Sequence, residues 1–306
     1  METTGRFGRE GFGFATIMLL LAFILLASVG AYLYLTQVAQ NSVVQSNLVQ
    51  VVGSESMRPA VTACAEDFMT RNPDADIVVK GGGSGDGIAA LLHGIVDIGM
   101  TSRELSQRER EYAASRGFDV STFAVALDGV SIVVNRANRV ASLDFGQLRG
   151  MFSGKIHDWG ELEAGGGEIL PFARAIGSGT ASLFGERVLG EEAYADSVRR
   201  LPTNEAIVAE VAARAGAIGY TGLGALRGVG DKVRVVALGA DSRAVPVMAT
   251  PESVVSAKYP LSRRLYLATA GPPVGAAKAF IDFCLSANGQ ALFERVGYIA
   301  VESAVQ

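Results

Sequence analysis

The sequence predicts an α/β fold of two lobes joined by two chain crossings and preceded by one transmembrane helix, and three observations carry that expectation. From Leu48 onward β-rich runs alternate with amphipathic helical stretches, the pattern of a parallel or mixed sheet covered by helices. The pattern changes register at Asp128-Gly129 and again near Val245, which reads as a chain passing into a second lobe and back, with a cleft between. Finally, no charged residue occurs from Gly11 to Gln37.

That uncharged run is the first element. GFGFATIMLLLAFILLASVGAYLYL is long enough to cross a bilayer, which takes about 20 apolar residues in a helix. Arg6 and Arg9 precede it, whereas TQVAQNSVVQSNLVQ after it holds no Lys or Arg, so the charge asymmetry places the N-terminus in the cytoplasm and everything that follows outside. Residues 11–35 are therefore expected as an uncleaved signal anchor in the cytoplasmic membrane, because the run exceeds an ordinary signal-peptide core. Cleavage at Ser28-Val29-Gly30 is the competing reading. No cysteine follows the segment where a lipid anchor would need one. Residues 36–47, rich in Gln, Asn and Ser, read as a tether.

Leu48–Val52 reads as the first strand, and Ser56 opens a helix with Pro59 in its first turn. Asp76–Lys80 is a second strand that runs into GGGSGDG and the helix IAALLHG; VDIGM is a strand again and ELSQREREYAAS a polar helix. FAVALDGVSIVVNR supplies two β-rich runs parted at Asp128-Gly129. A helix near Leu143–Met151, a strand ending at Arg174, helices from Thr180 and over Asn204–Arg214, and the strand AIGYTGL follow. After Val245 the chain returns to strand and amphipathic helices. One lobe would hold residues 48–127 and 246–306, the other 128–245.

With 306 residues, 49% of them hydrophobic, the chain can build proper cores, and its formal net charge of −4 gives no support to nucleic-acid binding or to a polybasic membrane surface. An anion bound here would have to be held by local dipoles. Three junctions offer them. GSESMRP, GGGSGDGI and RAIGSGT each run from a strand through small residues with a serine into a helix start, where unpaired N–H groups and the helix dipole favour an anion. Arg174 adds a planar fork of donors, and Ser178 and Thr180 add hydroxyls. The plainer alternative is that Ser178 or Thr180 caps a helix and Arg174 sits in a surface ion pair. Ligands of open α/β sheets lie beyond the carboxyl ends of the strands, where these junctions fall.

VVGSESMRPAVTACAEDF, GGGSGDGIAALLHGIVDIGMTSREL, FSGKIHDWGEL, RAIGSGTASLF, AIGYTGLGAL, YPLSRRLYL and FIDFCLSANGQALFERVGYIAV, taken in order from Val51 to Val301, resemble the phosphate-binding proteins of the phosphate ABC transporter, the PstS-like family with a type 2 periplasmic-binding-protein fold. The resemblance implies a monomeric, non-catalytic receptor without cofactor or metal that closes two lobes over inorganic phosphate and passes it to an ABC permease. It implies phosphate contacts at Ser54 and Ser56 with their adjacent backbone, and at Ser84, Ser102, Arg174, Ser178, Gly179 and Thr180. The chain departs from the family at Glu55, where many members have threonine, and at Ser102, where some have a ligand-facing aspartate. Glu55 and Asp128 are then the candidates for the carboxylate that accepts the proton of hydrogen phosphate, while Asp86 is equally a helix-start residue.

No GxxxxGK[ST], GxSxG or HExxH occurs, and His93 and His157 are too few for a histidine-rich metal site, so an enzyme is not expected. GLGALRG reads as an apolar turn. Cys64 and Cys284 read as small core residues, a disulfide between them being the alternative in an exported protein. Two other readings stay open: a membrane-tethered sensor or scaffold with the same fold, and a receptor for sulfate or molybdate.

Overall fold

The computed structural model describes residues 13–42, 47–162 and 165–301, in two compact units, 1–46 and 47–306. In the first unit a single helix, α1, runs over Phe14–Ser42. Where its side chains are described, at Met18, Leu19 and from Leu21 to Leu33, they are exposed. Among the described residues no helix is long and apolar enough to cross a membrane. Much of the expected span, including residues 11–12 and the side chains of 14–17 and 34–35, lies outside the described set.

The second unit opens with β1 (Leu48–Gly53), α2 (Arg58–Arg71), β2 (Asp76–Lys80), α3 (Ser84–Leu92), β3 (Ile98–Thr101) and α4 (Gln107–Ser115). Helix α2 begins two residues later than Ser56: residues 55–57 form a turn, and Pro59 sits at the helix start as expected. Helix α4 likewise starts after Glu104, because Ser106 and Glu109 form a reciprocal capping box. Then comes β4 (Val120–Asn135), followed by β5 (Ser142–Asp144), α5 (Phe145–Phe152), β6 (Leu170–Arg174), α6 (Gly179–Phe184), β7 (Arg199–Leu201), α7 (Asn204–Ala213), β8 (Ala217–Gly222) and β9 (Val233–Gly239). Helix α8 (Pro251–Val255), β10 (Ser262–Ala270), α9 (Gly275–Leu285) and α10 (Ala287–Val296) complete the unit.

The strands follow the order β2-β1-β3-β10-β4-β8-β6-β7, with β9 also beside β4 and β5 beside β9. The two runs expected on either side of Asp128-Gly129 are one unbroken strand of 16 residues. A turn fails to form there because Asp128 is paired in the ladder with Arg263 and Gly129 with Ser262. The first part of β4 pairs with antiparallel β10 and the rest with β8 and β9, so the fold has two lobes that share a strand. Each lobe has its own core. Val49, Val51, Ile98 and Met100 pack with Leu265, Leu267, Phe280 and Phe293 on one side of Asp128. Ile132, Val134, Phe152, Phe184, Tyr220 and Leu238 pack on the other, with Val254, Tyr259 and Leu261 joining them from the return segment. Cys64 and Cys284 are free thiols buried in the first core.

Candidate functional site

Strands β1, β3 and β6 deliver their carboxyl ends to one place. The turn after β1 carries Ser54 and Ser56, α3 starts at Ser84, Ser102 follows β3, Arg174 ends β6 and α6 starts at Gly179. All of these are buried. Where a helix N-terminus is buried its first N–H groups need acceptors, and two such termini meet here across the lobes. The Gly85 N–H donates to the Gly177 carbonyl at 3.2 Å. The Ser84 and Ser102 hydroxyls lie 3.2 Å apart, and the Ser102 N–H donates to Ser84 Oγ at 3.0 Å. A side chain at Gly179 would put its Cβ 2.3 Å from Ser102 Oγ and 2.4 Å from Ser84 Oγ, so only glycine admits this approach.

Arg174 is 1% exposed and forms no ion pair with a carboxylate among the described residues. Its Nη1 donates to Asn204 Oδ1 and, at 3.4 Å, to Ser56 Oγ; its Nη2 donates to the Pro202 carbonyl at 2.8 Å. Burial, and then repulsion from Arg263, pulls its guanidinium below the usual arginine value. The surface ion pair considered from sequence is thereby excluded. Ser56 Oγ also receives Asn204 Nδ2 at 3.2 Å and lies 3.2 Å from Thr180 Oγ1, so one hydroxyl joins the first turn to both Arg174 and α6. Ser178 caps α6, accepting the Thr180 N–H at 3.2 Å.

The candidate carboxylates are already engaged. Glu55 turns to Arg58, with Oε1 2.8 Å from Nε. Asp128 Oδ2 accepts from Arg263 Nε at 2.9 Å and Nη2 at 2.6 Å, and its Oδ1 accepts the Leu223 N–H at 2.9 Å. Asp86 stays exposed at the start of α3.

Arg263 and Asn204 were not singled out from the sequence. Arg263 is 6% exposed and donates through Nη1 to Thr180 Oγ1 at 2.9 Å and to the Ser102 carbonyl at 3.4 Å, touching both lobes. One signal was available: in SRRLYLATA it falls in phase with the buried Leu265 and Leu267, where a solvated arginine would not sit. Asn204 reads in sequence as a helix-start residue. A cavity of about 920 Å³, lined by Leu105, Ser182, Arg187, Arg264 and Tyr266 among others, shares Arg263 with the site.

Two buried guanidiniums thus face one another across hydroxyls and helix N-termini, with a single carboxylate, Asp128, paired to one of them. Burying the second charge is costly unless an anion meets it, so fold and site together define a two-lobed oxyanion-binding protein. Residues 36–288 match the model of the PBP superfamily domain. Over 260 residues the chain is 32% identical to the phosphate-binding protein PstS of Bacillus subtilis, an alignment covering 84% of this chain and 81% of the relative. It is 27% identical to the PstS of Pseudomonas aeruginosa, with 83% of each covered. Among solved structures, a phosphate ABC transporter substrate-binding protein from Clostridium perfringens with bound phosphate superimposes with a TM-score of 0.73 at 31% identity, covering 83% of this chain and 99% of that one. A phosphate transport receptor from Vibrio cholerae gives 0.68 at 28% identity, covering 82% and 99%. The chain belongs to the PBP superfamily and, within it, to the PstS-like phosphate-binding proteins.

Proposed function

We propose that this chain binds inorganic phosphate between its lobes, outside the cytoplasmic membrane, and delivers it to an ABC permease. The observation that carries the reading is the buried Arg174, held by neutral acceptors alone and placed where the starts of α3 and α6 converge. The proposed contacts are Ser54, Ser56, Ser84, Ser102, Arg174, Ser178, Gly179 and Thr180. One lobe is assigned residues 48–127 and 246–306 and the other 128–245, with 254–261 resting on the second core. The uncharged run from Gly11 to Gln37 supports a single-pass anchor with the N-terminus inside, and the receptor acts as a monomer. Mass spectrometry of the mature N-terminus tests the anchor: a chain beginning at Ala31 or later refutes it.

One observation favours a second ligand. Glu55 and Asp128 are held by arginines rather than aimed into the site, so the repulsion by which a free carboxylate would turn away sulfate is blunted. Calorimetry of the full-length chain in a non-ionic detergent against phosphate, sulfate and molybdate tests ligand class. Phosphate binding tightest supports the reading, and no heat with phosphate overturns it.

A further inference from the structure

Beneath Arg174 the sheet carries a row of polar residues that no sequence motif marks. In the ladder Ser131 of β4 lies directly opposite Thr221 of β8. Strand β6 runs parallel to β8, its last ladder pair being Phe172 with Gly219, and Arg174 follows two residues later, with its N–H bonded to the hydroxyl of Tyr220, the residue before Thr221. All three share one face. Their neighbours two residues away, Phe172 and Val133, pack on Ile207 and Val211 of α7, whereas the intervening Ala173, Tyr220 and Ile132 belong to the opposite core. The helix covering that face begins at Asn204, the residue that holds Arg174.

Ser131 and Thr221 are fully buried and Arg174 nearly so. Each nevertheless keeps a buried polar atom without a hydrogen-bond partner among the described residues: Ser131 Oγ, Thr221 Oγ1 and Arg174 Nε. Buried hydroxyls in native proteins are almost always satisfied, and leaving one unpaired is destabilising. Only two other side chains share this condition, Ser153 and Glu192, and neither lies on β4, β6 or β8. Two unsatisfied hydroxyls opposite one another in the ladder, with the unsatisfied Nε of a cation on the same face of the sheet, call for an acceptor-rich group.

From this we infer that Ser131 and Thr221 are ligand-binding residues that extend the anion site along the sheet and bind, with Arg174 Nε, one edge of the oxyanion. The inference rests on the reading that the anion meets Arg174. It also supplies what the engaged carboxylates do not. A hydroxyl both donates and accepts, so Thr221 and Ser131 can accept a hydrogen bond from a protonated phosphate oxygen as well as donate one to a bare oxygen.

The test is calorimetry of inorganic phosphate on the full-length chain for Ser131→Ala and Thr221→Val, with thermal melting in phosphate-free buffer alongside and Arg174→Ala as reference. Each hydroxyl deletion is expected to raise the phosphate Kd about tenfold or more, the range for a hydrogen bond to a charged group. The melting temperature without phosphate should stay level or rise, because the deleted hydroxyl had no protein partner to lose. Phosphate Kd values within twofold of wild type in both variants overturn the inference, as does a fall in melting temperature with unchanged Kd, which would mark the hydroxyls as purely structural. If Arg174→Ala also binds like wild type, the reading of the anion site itself fails; if it alone loses affinity, only the extension does.

Discussion

The Arg174 guanidinium has five N–H donors, and the acceptors around it are three neutral oxygens. Asn204 Oδ1, the Pro202 carbonyl and Ser56 Oγ take the Nη atoms, and none of them neutralises the charge. Arg174→Ala should therefore leave the fold intact and cost roughly 3–5 kcal/mol of phosphate binding, since the ligand's charge would be left buried without its partner. Arg174→Lys should recover only part of this, as a point ammonium cannot reproduce the fork that spans Asn204 and Pro202. The Ala variant would lose two or more decades in Kd, and a titration within threefold of wild type would remove Arg174 from the site. The hydroxyls around it act differently. Ser56 connects Arg174, Asn204 and Thr180 through a single oxygen, so it sets positions more than charge. Glu55, one residue away, points out to Arg58, which shows how sharply the turn after β1 separates inward from outward side chains.

At the scale of elements, the approach of α6 to α3 decides how the lobes meet. Gly179→Ala would drive a methyl into both Ser84 Oγ and Ser102 Oγ, which lie only 3.2 Å from one another. The expected outcome is an overpacking loss of about 1–3 kcal/mol in phosphate affinity with little change in melting temperature, read by calorimetry and thermal denaturation together. Equal affinity in the variant would mean that the two helix starts do not close on the ligand in this arrangement. Much of this was legible in the sequence, because strand, glycine-rich turn and helix start each leave a local signal. The strand ending at Arg174 and the strand before Ser54 were readable for that reason, whereas the short strands β5 and β7, the strand β9 and the helix α8 were not read. What was not readable depended on pairing between distant segments. Asp128-Gly129 has the composition of a turn, and only the ladder partners Arg263 and Ser262, more than a hundred residues away, keep it extended. Arg263 was missed for the same reason, since its meaning comes from Asp128 and Thr180 rather than from its neighbours in YPLSRRLYL. Ser131 and Thr221 carry no motif at all; they matter only once β6, β8 and β4 lie side by side.

The whole molecule places several phenols in its interior, and this gives its stability a definite pH limit. Burial, above all, raises the phenols of Tyr220, Tyr259 and Tyr298 above the ordinary tyrosine value. A native pKa above the unfolded one means that the folded state holds the proton more tightly. The stabilisation is therefore fully present below the unfolded phenol value of about 10 and is lost as pH rises from there toward the native values. Melting temperature should be flat in this respect up to about pH 9.5 and fall above it. Tyr259→Phe, which gives up a 2.8 Å bond to the Val130 carbonyl, should melt lower at neutral pH but show a shallower alkaline fall. An identical alkaline profile in that variant would assign the fall to other groups. The shared strand β4 has a further consequence, for the order in which the molecule is made. The core around Ile132 and Tyr220 draws almost wholly on one continuous stretch, from Leu127 to Leu261, with Ile299 as its distant contributor. The core around Val51 and Met100 cannot be completed until Leu265, Phe280 and Phe293 have been synthesised. A chain synthesised from its N-terminus thus holds all of the second lobe's core but Ile299 while the first lobe still lacks β10 and the two helices after it, and folding runs from the middle of the sequence outward. A chain stalled after Leu261 should already protect residues 130–240 from protease while residues 48–101 remain cleavable, and the arrival of residues 262–306 would then complete the first lobe beside the second.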